Sequence, residues 1–257
     1  LGKRNIPLLD TKMRKELLII QPGRKGDILL VLPIAKYYYD LGYEITWPIC
    51  NEYQNLFLYV NFPINVIDIG PLTSGIEAYE RSKNIGNNFN GTLDLAIGFG
   101  NQNLNDEWKK TNLSFDVWKY KKACIPYFHK YLLLKIINRI PEIEKDLLNF
   151  FDIKNDPYIV IHQNGSNGRH FDFKIDKAIK TIEIKQFPSN RWEIFDWISL
   201  LQGARKIYCV DSCFLNLIDQ CKIIPPDGRF VHFWNEYYSL KDLPLLSPFV
   251  SNDWISV

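Results

Sequence analysis

"LLIIQPGRKGDILLVLPIAKYYYDLGYEITWPI", residues 17–49, sets an apolar strand, a glycine turn, a helix and a second strand in immediate succession. Leu17 to Gln21 is an apolar run that stops at Pro22-Gly23, the pattern of a strand buried on both faces. From Asp27 onward, Leu29, Leu30, Leu32, Pro33, Ile34, Tyr37 and Tyr38 follow helical rather than strand spacing, and Gly42 stands where it would end the helix. Glu44 to Ile49 returns as a strand. A strand, a crossover helix and a strand in this order predict a parallel pair, the building unit of an open α/β sheet.

The same alternation continues in both directions. Strands are expected at NVIDIG (65–70) and LDLAIGFG (93–100), and residues 106–150 read as mostly helical, from Trp108, Phe115, Trp118, the run 131–137 and the run 143–150. FFDIKNDPY (150–158) reads as a linker, because Asp-Pro favours a turn. YIVIHQNGSNGR (158–169) then repeats the opening logic, a strand running into a glycine-rich loop. Strand TIEIK (181–185), helix RWEIFDWISLL (191–201), strand KIYCV (206–210), helix SCFLNLIDQC (212–221) and strand RFVHFW (229–234) follow. The expected class is α/β, with two Rossmann-like lobes at residues 1–152 and 153–257, the second lobe reduced. The segment after Trp234 is expected to close as a helix or to cross back to the first lobe.

With 257 residues and 46% hydrophobic content the chain can bury a real core, while 31 basic and 29 acidic side chains, net +2, are mixed along it. That balance neither argues for nucleic acid nor excludes it. Five cysteines at irregular spacing argue against a disulfide scaffold and for a reducing, cytoplasmic setting. No apolar run approaches the length of a bilayer span, so no integral membrane contact is expected. Oligomeric state has no signature here.

Three loops carry candidate chemistry. In Gly23-Arg24-Lys25-Gly26-Asp27 the glycines permit a sharp turn before a helix N-terminus, a natural place for an anion, yet the loop lacks the GxxxxGK[ST] order of a phosphate loop. Asp27 is either an N-cap or a base at the mouth of that turn. Asp211-Ser212-Cys213 lies where a strand gives way to a helix, the edge at which open α/β sheets bind ligands; capping by Asp211 or Ser212 is the plainer alternative. The third loop follows His162 and contains Asn164, Gly165, Ser166, Arg169 and, beyond it, Lys174, a polar set suited to closing on a diphosphate or to an ordinary exposed turn. No metal is expected, since Cys209, Cys213 and Cys221 lack zinc spacing and no Asp-x-Asp pair occurs in the chain.

GRKGDILLVLPIAK resembles the "GD-(I/V)-L-x-x-L-P" opening of the ADP-heptose:lipopolysaccharide heptosyltransferases and their relatives. VDSCFLNLIDQ resembles that family's D-(S/T)-G-x-x-H-L-A segment, with Cys213 in place of the glycine and Asn216 in place of the histidine; LDLAIGFG resembles its "DL-x-I" strand. The resemblance implies a GT-B glycosyltransferase, inverting and metal-independent, with no cofactor beyond a nucleotide-sugar co-substrate. It implies Asp27 as catalytic base, the loop Gly23 to Gly26 on the acceptor side, and Asp211, Ser212 and Cys213 at the donor, where Arg169 or Lys174 supplies the phosphate cation. The acceptor expected is a surface-glycan saccharide or a 5-hydroxymethylated pyrimidine such as 5-hydroxymethylcytosine in phage DNA. A degenerate, non-catalytic nucleotide-binding module is the alternative; a dinucleotide oxidoreductase is disfavoured because no GxGxxG occurs.

Overall fold

The computed structural model describes residues 15–111, 113–154, 156–165, 168–175, 178–185, 191–232 and 254–257. Strand β1, Lys15–Ile20, lies inside a parallel sheet between β2, Tyr43–Ile49, and β4, Thr92–Asp94, with β3, Asn65–Asp68, beyond β2. Its side chains divide between the two faces with the period of a strand: Leu17 and Ile19 enter the main core, while Leu18 and Ile20 pack with Tyr79, Ala96 and Phe99 on the other side. Helices α1, Lys25–Asp40, and α2, Gly75–Gly86, are the long helices of this half.

The helical middle is more broken than the sequence pattern suggests. Short helices α3, Gln102–Lys109, and α4, Phe115–Lys122, precede a 3₁₀ turn at Tyr127–Leu132, then α5, Leu133–Ile136, and α6, Pro141–Phe150. The second sheet holds β5, Tyr158–His162, β6, Lys180–Glu183, β7, Lys206–Val210, and β8, Arg229–His232, joined by β9, Trp254–Ser256. It is parallel throughout, in the order β6-β5-β7-β8-β9. Helices α7, Ile198–Gly203, and α8, Cys213–Gln220, complete this half, and a 3₁₀ turn at Ile194–Trp197 replaces the start of the helix expected from residue 191.

The closing helix or crossing expected after Trp234 falls on residues 235–253, which lie outside the described residues. At the described chain end, β9 adds a fifth strand beside β8, where Trp254 donates to Asp219 at 3.2 Å and lies over the buried Arg229 guanidinium. The strand expected over 93–100 ends at Asp94, because that carboxylate accepts from the Ala96 amide at 3.1 Å and turns the chain. Residues 233–234 of the expected last strand lie outside the described residues.

One continuous apolar cluster runs from Ile19, Leu29 and Trp47 to Val160, Leu215 and Ile207, so the two sheets share a core through α1 and α8. Ile28 to Ala35 of α1 are buried on every side, as expected of a helix enclosed by protein. Pro33 within it has no N–H for the Leu29 carbonyl. In the amide orientation that gives both its ends partners, the fully buried Gln220 of α8 donates to Leu29 O at 3.0 Å and Lys130 O at 3.3 Å. The defect in one helix is therefore satisfied by the other. Gln220→Leu removes both donations and is expected to cost about 1–3 kcal/mol in urea unfolding. Adding Pro33→Ala returns an N–H to Leu29 O and should recover part of that loss; a strictly additive double variant contradicts the coupling.

Candidate functional site

Open α/β sheets bind ligands at the carboxyl ends of strands where the strand order reverses. In the first sheet, ordered β3-β2-β1-β4, that point lies between β1 and β4; in the second it lies between β5 and β7. The loops at the two points are Gln21 to Arg24 with residues 95–101, and residues 163–171 with Asp211-Ser212. The first turns of α1 and α8 meet there. A Cβ on Gly26 would sit 3.0 Å from Asn216 Nδ2 and 3.4 Å from the Cys213 Cα. A side chain on residue 26 would press on α8, and the two motifs legible in sequence, one per lobe, form one place.

Asp27 is not the cap of α1. The helix starts at Lys25 after Arg24, and Asp27 falls in its first turn with its Oδ1 accepting from Lys119 Nζ of α4 at 2.6 Å. The Lys119 side chain has 0% exposure and Asp27 12%. The same ammonium donates to Gln21 Oε1 at 2.6 Å, and Gln21 is pinned in turn by its donation to Gly23 O and by acceptance from Trp47 Nε1. Burial pulls the Lys119 ammonium below the usual lysine range, and the Asp27 carboxylate is the largest influence opposing this. Among the described residues, no hydrogen bond reaches Asp27 Oδ2.

Ser212 occupies the position ahead of α8 but does not cap it. Its Oγ instead lies 3.0 Å from His162 Nδ1, at the end of β5, and 3.7 Å from Cys209 Sγ. Burial lowers His162 to about 4, so it is neutral near pH 7, and it packs against Phe214. The amides of the first turn of α8 are thus left without a side-chain cap. Burial raises the Asp211 carboxyl to about 6, assisted by the negative charge of Asp116. Burial also raises the Cys213 thiol, to about 11, against the opposing influence of Lys25.

Asp116 belongs to a cluster between the halves. It accepts from Ser114 Oγ at 2.6 Å and from the Tyr127 hydroxyl, while Lys130 Nζ lies 3.5 Å from Asp116 Oδ2 and 3.0 Å from Asp219 Oδ2 of α8. Asp116 and Lys119 stand three residues apart on the buried face of α4, so one short helix serves both candidate carboxylates. Neither was picked out in sequence. Their only signal was a charge on each side of Trp118 in FDVWKYKK, a pattern that also describes an exposed helix.

The other expected residues scatter in role. Gly23 lies under Tyr53, whose Cε2 would be 2.8 Å from an added Cβ. Arg24 takes φ of 63°, and its guanidinium donates to Gly98 O at 3.2 Å and lies over Phe99, spanning the first reversal point. Lys25 reaches across to Glu193 Oε2 at 2.7 Å. Asn164 pairs with His170, whose Nδ1 meets Asn164 Oδ1 at 2.9 Å, and the Gly165 amide donates to Arg169 O, so the two described sides of this loop pair with each other. Lys174 is exposed. Ser166 lies outside the described residues. Among these residues no group of three or more His, Cys, Asp or Glu is placed to hold a metal, and no helix is long and apolar enough to cross a membrane.

No protein-family model matches the chain, and no curated protein matches it. Among solved structures, a glycosyl transferase of family 9 from Veillonella parvula DSM 2008 is similar at 11% identity and a TM-score of 0.47, over 85% of this chain and 80% of that one. The E. coli heptosyltransferase WaaC with ADP-2-deoxy-2-fluoro heptose is similar at 11% identity and 0.45, over 94% and 92%. The iron-containing dodecameric glycosyltransferase TibC from enterotoxigenic E. coli H10407 is similar at 14% identity and 0.49, over 95% of this chain, which spans 62% of TibC. Likenesses this distant pass on no residue's role.

The raised Asp211 carboxyl has a consequence for stability. Its folded value near 6 lies above the unfolded value of about 3.9, so the stability held by the protonated form is fully present below about pH 4 and lost as pH rises through about 6. Asp211→Asn mimics that form. In urea unfolding the variant is expected to match the parent near pH 4 and to exceed it by about 1–3 kcal/mol near pH 7.5. A variant less stable than the parent at pH 7.5 contradicts the cause given.

Proposed function

We propose that the chain is an inverting, metal-independent glycosyltransferase that moves a sugar from a nucleoside-diphosphate sugar to a hydroxyl acceptor. The observation that carries this is the meeting of two strand-order reversal points, each presenting a carboxylate, at the close contact of Gly26 with Cys213 and Asn216. A bipartite site of this kind suits a reaction with two substrates, one held by each half.

Asp27 is the base. Lys119 holds Oδ1, and Oδ2 remains for the acceptor hydroxyl. As the acceptor oxygen attacks the anomeric carbon, its proton passes to Asp27, the bond from that carbon to the diphosphate oxygen breaks, and the configuration inverts in one displacement. The negative charge arriving on the diphosphate meets the uncapped amides of α8, with Ser212 beside them and neutral His162 fixing the serine rotamer. Asp211 accepts from a hydroxyl of the donor sugar, and Arg169 or Lys174 supplies the cation. Metal independence rests on the absence of an Asp-x-Asp pair in the chain. The acceptor hydroxyl belongs to a saccharide or to a hydroxymethylated pyrimidine in DNA; the DNA case requires binding that weakens steeply with salt.

Asp27→Asn is expected to lower turnover by about a hundredfold or more while leaving nucleotide-sugar affinity within a few-fold, measured by steady-state kinetics and calorimetry. Retention of more than about a tenth of the activity removes the base assignment. Asp211→Ala should instead weaken the donor complex, and an unchanged donor affinity removes that role.

A further inference from the structure

We propose that Lys119 is the positioning residue of the reaction: held between Gln21 and Asp27, its ammonium fixes the carboxylate in one orientation. The proposal deepens the assignment of Asp27 as base and rests on it. Geometry carries the argument. A fully enclosed lysine meets two acceptors at 2.6 Å, one the side chain that faces the candidate acceptor site and the other a buried amide. The amide is itself immobilised, because its nitrogen donates to Gly23 O at 3.1 Å, while the Gln21 backbone carbonyl, just after the central strand β1, accepts from Trp47 Nε1 at 2.9 Å.

The helix that presents Lys119 is fixed from both sides. Tyr120 donates its hydroxyl to Leu30 O of α1 at 3.0 Å, and Asp116 is engaged with Ser114, Tyr127 and Lys130. Lys119 also lies 5.5 Å from the centre of the Phe115 ring. The other charges that reach it are Arg24, which opposes the ammonium, and Asp116, which favours it. An ammonium in such a place stays charged only with a counter-ion, and a buried ion pair seldom stabilises a fold more than an apolar side chain of the same volume would. The arrangement is therefore poorly explained by stability and well explained by a carboxylate that must be ionised and aimed.

The test uses the whole chain with Lys119→Met and Lys119→Arg, together with Asp27→Asn. In Lys119→Met, kcat is expected to fall about 10- to 100-fold with donor affinity within about threefold, since misaiming a catalytic group costs that much. Lys119→Arg, which keeps a cation beside the carboxylate, should recover part of the lost kcat. Lys119→Met leaves the Asp27 carboxylate and Gln21 Oε1 without their shared donor, so it is expected to unfold at lower temperature than the parent; kinetics are run below that transition, where the variant is folded and a fall in kcat reports positioning. A second measurement needs no activity: the Lys119 13Cε resonance, assigned by its loss in Lys119→Met, should titrate at lower pH in Asp27→Asn than in the parent. Wild-type kcat in Lys119→Met, or an unmoved 13Cε titration in Asp27→Asn, overturns the proposal. If the 13Cε titration moves but Asp27→Asn retains turnover, the Lys119 contact stands, the base assignment fails, and the positioning role fails with it.

Discussion

The near contact of α1 with α8 is the constraint on which the rest of the molecule depends. Each helix starts at the reversal point of its own sheet, and a glycine at residue 26 lets their first turns come together. A glycine within a helix costs about 1 kcal/mol against alanine, so its presence in the first turn of α1 is explained by what packs on it. The same pair of helices exchanges the Gln220 amide for the carbonyl that Pro33 leaves unpaired, and their apolar sides merge the two cores. Bridges at the periphery, Lys25 with Glu193 and Tyr59 with Asp196, follow the same seam. The site is thus a product of the packing between halves, not of either half alone.

Along that seam the protein buries charge. Asp116, Lys130 and Asp219 form one group and Lys119 with Asp27 another, with α4 contributing to both. Desolvating so many ions is costly unless each is paired and further hydrogen-bonded, and here the added partners are Ser114, Tyr127 and Gln21. Their effect at the site is directional. Lys119 pairs with the Asp27 carboxylate, whereas burial, with the charge of Asp116 adding to it, raises the carboxyl of Asp211, so two aspartates of the same chemistry have different environments. Different protonation behaviour in neighbouring carboxylates is a common way for a site to divide its work.

The parallel α/β class was legible because buried strands such as Leu17 to Ile20 and Tyr158 to His162 are continuous apolar runs between turn signals. The two loops that meet at the site were legible for a related reason, since Gly-Asp and Asp-Ser directly after such runs mark a strand giving way to a helix. Several things were not. Asp27 read as a cap as easily as a base, because its partner Lys119 lies 92 residues away in sequence. Asp116 and Lys119 looked like charges of an exposed helix, and only tertiary packing turns that face inward. β9 was missed because three residues, Trp254 to Ser256, are too few to show strand alternation; their pairing with β8 is decided by Trp254 finding Asp219 and Arg229.

The most direct measurement is nucleotide release from a panel of UDP-, ADP-, GDP- and CDP-sugars in the presence of EDTA, each supplied with saccharide acceptors, hydroxymethylcytosine DNA, unmodified DNA or no acceptor. The account predicts release from one nucleotide class that requires an acceptor hydroxyl, survives the chelator, and yields a glycosidic product of inverted anomeric configuration. Failure to bind or consume any nucleotide sugar, or a product of retained configuration, contradicts it.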